Sequence, residues 1–481
     1  MPRTIPRLFR GAVEQVPDAT WLLAGDEELT YAESLGRVER AASSLRSLGI
    51  GPGDRVVVLA ANTAEHLLCW FALMEVGAVQ VPVNPASSAA ELEGLHRQVA
   101  PALTLDDEGV AALYDSTSDD RGPVDVDEHD VAVMIPTSGT TGRSKLVMQT
   151  HLAYVMAGEG FPFWMQLTAD DRLMTSLPLF HINAPAYSTL GSVAARASLV
   201  LLPGFSATSF VDSARRYGAT EFNAIGAMLE ILMRQPERPD DAENPLRRCY
   251  TGPAPDRERH LEIEARYGFE IVCGYALSET PYGLIWRHGT RPYGTLGSVR
   301  QHPTLGVVNE ARVRPDGELE LRNPAVMRGY FEMPEETAAV LADGWLRTGD
   351  LVTVDDDGVY TFVGRVKDVI RRRGENLSPV EVEAALEHHP DVAEAAVIAV
   401  PSELTEDDVK AFVTEAPGRI VDLAALHAHA ADRLARFKVP RYYEVVDALP
   451  HTPTGRLAKH QLPTTRTQGE VDMDETGGGR D

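Results

Sequence analysis

Through most of the chain, short runs of apolar and β-branched residues alternate with stretches whose apolar positions recur three and four residues apart. Residues 54–60, Asp-Arg-Val-Val-Val-Leu-Ala, predict a strand, 64–76 a buried helix and 79–83 the next strand. The unit returns at 198–202, a buried strand, and 209–217, a helix. Apolar strands spaced by helices are the pattern of parallel sheets covered by helices. The longest apolar stretch, 67–83, is broken by Glu75 and Pro82 and is too short to span a bilayer comfortably.

The texture changes after Asp350. Residues 352–362 predict a hairpin around an Asp-Gly turn. Ser378-Pro379-Val380-Glu381 has the form of a capping box, which starts a helix at Pro379 with Val382, Ala385 and Leu386 on its apolar face. Residues 393–400 and 409–413 predict strands of a small α+β domain. From 464 to 481 the chain is polar and Gly-rich, the composition of a disordered tail.

Length and charge narrow the function. A chain of 481 residues builds several cores. Lys and Arg total 45 against 71 Asp and Glu, a net charge of -26, which repels nucleic acid and anionic membrane. A nucleotide ligand stays compatible, because glycine-rich backbone and a cation neutralise phosphate locally. The N-terminus has no apolar core or cleavage site of a secretory signal. Cys69, Cys249 and Cys273 lie far apart, without a CxxC pair or ligand spacing, as buried thiols of a cytoplasmic protein.

The candidate chemistry begins where the apolar strand 131–136 runs into Thr137-Ser138-Gly139-Thr140-Thr141-Gly142-Arg143-Ser144-Lys145. Glycines let backbone approach a phosphate, hydroxyls and amides donate to it, and Lys145 adds charge. The spacing is not that of GxxxxGK[ST]. This segment resembles the signature loop of the adenylate-forming superfamily: acyl- and aryl-CoA synthetases, peptide-synthetase adenylation domains and beetle luciferases. Further matches follow in order from Thr30-Tyr31 to Lys459.

The resemblance implies an α/β fold: a large N-terminal domain of helix-covered, mostly parallel sheets with a β-barrel-like part, then a small mobile α+β C-terminal domain. It divides the chain into 1–366, 367–463 with a hinge at Lys367, and the tail 464–481. Gly274-Tyr275-Ala276-Leu277-Ser278-Glu279-Thr280 resembles the YGxTE motif, with Ala276 and Ser278 where Gly and Thr are usual. It implies that Tyr275 stacks on adenine, Ser278 bonds phosphate and Glu279 holds Mg2+. Gly252-Pro253-Ala254 resembles the adenine-side turn. Gly344-Trp345-Leu346-Arg347-Thr348-Gly349-Asp350 resembles GWxxTGD, with Asp350 accepting from both ribose hydroxyls. Arg365, before Lys367, reaches ribose or phosphate by the same resemblance.

One departure matters. The family's adenylation lysine follows the Gly of the last motif, and Arg456 stands there in Pro453-Thr454-Gly455-Arg456-Leu457-Ala458-Lys459, so Arg456 and Lys459 are both candidates. Arg371-Arg372-Arg373 is either a solvated face or a dock for a coenzyme A phosphate. On the acid side, His181 in Pro178-Leu179-Phe180-His181-Ile182-Asn183-Ala184 gates the pocket by resemblance, and Phe222, Asn223, Gly226, Ala227 and Met228 line its other wall with Ala276. That wall is most similar to carnitine- and crotonobetaine-CoA ligase-like members. The implied activity is adenylation of a small organic acid by ATP and Mg2+, with Thr140, His181, Glu279, Arg456 and Lys459 as the catalytic set, followed by transfer to coenzyme A. Two alternatives stand beside it. One is adenylation of an oxyanion such as nitrite, or transfer to an amine or carrier protein; the other is a nucleotide-binding scaffold without catalysis. Dimerisation is common in relatives, and no feature of this chain requires it.

Overall fold

A computed structural model of the chain describes residues 2–115, 122–137, 145–252, 255–372, 375–402, 407–451 and 457–473. The chain divides into two compact units. The first comprises 1–312, 320–347 and 355–360, the second 313–319, 348–354 and 361–481. Each has its own hydrophobic core, as independently folding domains do.

The first unit holds two sheets. In one, Arg55–Leu59 lies between Leu103–Asp106 and Val79–Pro82, and Val131–Thr137 follows, all parallel, with Lys145–Thr150 antiparallel at the edge. In the other, nine strands are ordered with a parallel centre of Glu270–Leu277, Arg248–Thr251, Glu221–Asn223, Arg172–Thr175, Ser198–Leu201 and Thr20–Ala24. Helix Ala64–Glu75, expected from its apolar run, is buried along its length. Capping boxes at Thr30/Glu33 and Ser88/Glu91 start two other helices. The fold class read from the sequence is the one observed. Strands Glu310–Val313, Glu318–Arg322, Trp345–Val354 and Tyr360–Arg365 are each divided between the two units.

In the second unit Val392–Pro401, Asp407–Glu415, Tyr442–Val445 and Glu470–Asp472 form one sheet. Helix Pro379–Glu387 starts where expected and buries Val382, Ala385 and Leu386. Its start is not a capping box. Ser378 makes no side-chain cap, and Glu381, its expected partner, is drawn away by Lys438 Nζ at 2.7 Å. The stretch expected to be a disordered tail from 464 carries a strand instead. Glu470–Asp472 is a strand because two of its acids meet cations: Glu470 lies 2.7 Å from the buried Lys410 Nζ and Asp472 2.8 Å from Arg441 Nη2. Residues 474–481 lie outside the described part.

Cys69, Cys249 and Cys273 are free and buried. Burial pushes the Cys69 thiol up to about 12, so it stays an unreactive thiol. Among the described residues no helix is long and apolar enough to cross a membrane.

Candidate functional site

The Ser/Thr/Gly loop spans two antiparallel strands. Val131–Thr137 and Lys145–Thr150 pair with Thr137 opposite Lys145, and Thr137 Oγ1 donates to the Lys145 carbonyl at 3.2 Å. Both ends of the loop are therefore anchored to one hairpin. Ser138, Gly139, Thr140, Thr141 and Gly142 lie outside the described residues.

Against the free side of Lys145–Thr150 runs an irregular segment. Met148 N donates to the Gly329 carbonyl at 3.0 Å, Arg328 N to the Met148 carbonyl at 3.0 Å, and Phe331 N to the Leu146 carbonyl at 2.9 Å. Gly329 holds φ +133°, and a Cβ there would lie 2.7 Å from Thr337 Cγ2, so only glycine fits this bend. The segment places Tyr330 so that Lys145 Nζ sits 4.6 Å over its ring centroid. The Tyr330 hydroxyl donates to Glu279 Oε1 at 2.8 Å.

Glu279 belongs to a tight hairpin between Glu270–Leu277 and Thr280–Ile285. Leu277 pairs with Thr280, leaving Ser278 and Glu279 as the two turn residues. The Ser278 carbonyl accepts from Gln149 Nε2 at 2.6 Å, and the Glu279 carbonyl from Met327 N at 2.8 Å. Lys145 and the 274–280 motif are thus brought together, with Tyr275, Ala276, Ser278, Glu279 and Lys145 all half-buried. Beside them, a Cβ on Gly252 would stand 2.3 Å from the Gly274 carbonyl, so glycine lets the adjoining strands close up. Pro253 and Ala254 lie outside the described residues.

Among the described residues no three His, Cys, Asp or Glu side chains gather as a metal cage. A half-buried carboxylate that spends one oxygen on a phenol suits a cation held mainly by substrate phosphates, the habit of Mg2+.

On the acid side, Asn223 Nδ2 donates to Asn183 Oδ1 at 2.6 Å, joining the two stretches expected to face each other. The rings of Phe180 and His181 are 4.6 Å apart. Residues Ala184–Thr189 form a π-helical turn after His181. Phe222 departs from its expected place on the pocket wall. Alternation along Glu221–Asn223 turns it away from Asn223, and its ring packs 5.0 Å from both Phe210 and Phe269 in the core. Gly226, Ala227 and Met228 open helix Gly226–Met233; Ala227 is exposed and Met228 buried.

Arg300, 1% exposed, was not among the expected residues. Its guanidinium bonds the hydroxyls of Tyr187, at 2.9 Å, and Tyr250, and lies 4.5 Å over the Trp164 ring. It locks the π-helical turn to the central strands. No sequence period marks it.

The second unit carries Asp350, Arg365, Lys367 and Lys459. Asp350, 1% exposed, follows a turn held by Thr348 Oγ1 to the Leu319 carbonyl at 2.8 Å and Gly349 N to Glu318 Oε1 at 2.9 Å. Arg365 Nε is 2.8 Å from Asp350 Oδ1, so two expected ribose contacts are neighbours. Lys367 sits in the short turn Val366–Asp368. Lys459 Nζ is 2.6 Å from Glu383 Oε1. Arg456 lies outside the described residues. Arg372 is no dock for phosphate. It is buried, paired with Asp408 at 3.0 Å and donating to the Val439 carbonyl at 2.7 Å.

The family described as AMP-binding enzyme matches residues 9–331, and its C-terminal domain matches 381–456. Crotonobetaine/carnitine–CoA ligases of Salmonella heidelberg and Salmonella typhimurium are 29% identical, over 90% of this chain and 93% of theirs. Among solved structures, ATP-bound MatB from Rhodopseudomonas palustris is 27% identical, covers 96% of this chain and 98% of its own, and superposes with a TM-score of 0.87. O-succinylbenzoate coenzyme A synthetase (MenE) from Bacillus subtilis, in complex with AMP, is 26% identical, with 97% and 99% covered and a TM-score of 0.87.

Proposed function

The chain belongs to the AMP-binding enzyme family, and from that premise we propose that it is an AMP-forming ligase that adenylates a small organic acid with ATP and passes the acyl group to coenzyme A. The observation that carries this reading is the meeting of Lys145 and Glu279 on Tyr330: a cation for phosphate beside a carboxylate for a divalent metal.

In the first half-reaction the acid carboxylate attacks the α-phosphorus of ATP, and the bond to the bridging oxygen of pyrophosphate breaks. Amides and hydroxyls of 137–142, with Lys145, hold the phosphates, and Tyr275 with the 252–254 turn holds adenine. Glu279 would hold Mg2+, which would supply neutralisation of the phosphate charge. Asp350 accepts from the ribose hydroxyls with Arg365 beside it. Lys459 is engaged by Glu383, which supports Arg456 as the cation facing the departing pyrophosphate. A rotation about Lys367 then exchanges the residues offered to the reaction centre. In the second half-reaction the thiol sulfur attacks the acyl carbonyl, AMP leaves with the bonding pair, and the thiol proton goes to solvent. Positioning and charge supply most of the acceleration.

His181 and the Asn183–Asn223 amide pair suit a small acid with some polarity. Buried free cysteines and the need for ATP suit the cytoplasm.

The test is pyrophosphate release from ATP and Mg2+ over short-chain, aryl and enoyl acids and nitrite, with and without coenzyme A or a thiolated carrier protein. Thioester formation with an acid supports the ligase. Release with nitrite alone overturns it, and absence of release with every acid leaves a nucleotide-binding scaffold.

A further inference from the structure

We propose that Tyr330 is a positioning residue that sets the phosphate cation and the metal carboxylate against each other, its hydroxyl orienting Glu279 and its ring face seating Lys145. This rests on the function proposed above and adds to it a residue from outside the recognised motifs.

Contacts of the backbone and of the side chain both hold this residue in place. Its backbone is fixed beside the loop-bearing hairpin by the bonds from Met148 to Gly329 and from Phe331 to Leu146. Tyr330 N also donates to Thr337 Oγ1 at 2.9 Å, which ties it to the middle of helix Pro334–Val340. The hydroxyl reaches Glu279 Oε1 at 2.8 Å, and the ring lies under Lys145 Nζ at 4.6 Å. Tyr330 is 6% exposed, so both interactions are largely sheltered from water, where each is stronger.

The chemistry of the contact explains why tyrosine suits the place. A direct Lys145–Glu279 ion pair would neutralise the two groups that phosphate and metal must use. A phenol between them satisfies one carboxylate oxygen as a neutral donor and attracts the ammonium through its π face. It consumes no charge and leaves the second carboxylate oxygen for a metal. Outer groups that orient a metal-binding carboxylate typically change metal affinity about 10- to 100-fold when removed.

The experiment compares the full chain with Tyr330→Phe and Tyr330→Leu, following ATP binding by calorimetry as free Mg2+ is varied, alongside pyrophosphate release and a melting curve. Tyr330→Phe keeps the ring and loses only the hydroxyl. It is expected to raise the Mg2+ needed for half-maximal ATP binding about tenfold, with ATP affinity at saturating Mg2+ within about twofold of wild type and the acid KM unmoved. Tyr330→Leu also loses the seat of Lys145, and ATP affinity should fall even at saturating Mg2+. In a cycle with Glu279→Gln, the double variant should need no more Mg2+ than Glu279→Gln alone, because the hydroxyl acts through that carboxylate.

An unchanged Mg2+ dependence in Tyr330→Phe, or additive effects in the cycle, overturns the proposal. If wild type binds Mg2+ and ATP but no acid releases pyrophosphate, the ligase reading fails while the binding titrations still decide the role of Tyr330.

Discussion

Lys459 Nζ lies 2.6 Å from Glu383 Oε1, and the same carboxylate oxygen accepts from Val397 N at 2.6 Å. Glu383 is 8% exposed, so the lysine neutralises an acid inside the second unit. Burial raises the Glu383 pKa, and Lys459 opposes the rise. Lys459→Ala should therefore destabilise this unit by about 3 kcal/mol at neutral pH, the low end for stranding a buried charge. The loss depends on pH. With its partner gone, Glu383 binds its proton more tightly folded than unfolded, so stability is fullest below the ordinary carboxylate range and drains as pH rises towards the folded value. Melting curves at pH 5 and pH 8 check this, and Glu383→Gln in the Lys459→Ala background should flatten the difference.

The same pair separates two candidate cations. Arg456→Ala should slow pyrophosphate release about 100-fold or more, the scale for removing one transition-state donor. Lys459→Ala, assayed where it remains folded, should keep the rate within about tenfold. The reverse ranking would return the adenylation role to Lys459.

Glu221 has no exposure, and neither carboxylate oxygen has a hydrogen-bond partner. Burial, with Asp171 nearby, pushes its pKa well up, so the folded chain holds a proton that the unfolded chain releases. Its contribution is present at low pH and is lost as pH rises through the folded value. Glu221→Met, of similar length and without the polar group, should raise the melting temperature, and more at pH 8 than at pH 5. Equal shifts at both would contradict the assignment.

Asp350 offers a sharper nucleotide test. Asp350→Ala should raise the KM for ATP at least about tenfold, because a hydrogen bond to a charged group contributes about 1.5–3 kcal/mol. The acid KM should stay put. Wild type should lose affinity for 2′-deoxy-ATP, and Asp350→Ala should lose little more on that change.

Much of this was legible in the chain itself. The strand-helix-strand pattern at 54–83 and the apolar face after Pro379 follow from periodicity, and they fold as read. Motif order exposed Lys145, Glu279, Asp350 and Arg365. Tyr330 escaped because it sits in irregular backbone, without a period, 51 residues from the carboxylate it touches. Phe222 was misread because adjacent strand residues face opposite sides, and its neighbour Asn223 took the inner one. The cap at Ser378 failed for a tertiary reason: Lys438, distant in sequence, outbids a local bond for Glu381.

The strand Glu470–Asp472 has a practical consequence for anyone who shortens this protein. The recognisable C-terminal domain ends at 456, and a gene trimmed there would cut the last motif short of Lys459 and omit the sheet's last strand. Lys410, fully buried between Glu444 at 2.9 Å and Glu470 at 2.7 Å, would keep one carboxylate of two. Arg441 would lose Asp472. A purification tag is better fused beyond 473, where the sheet is already complete, than used to replace the polar stretch that closes it.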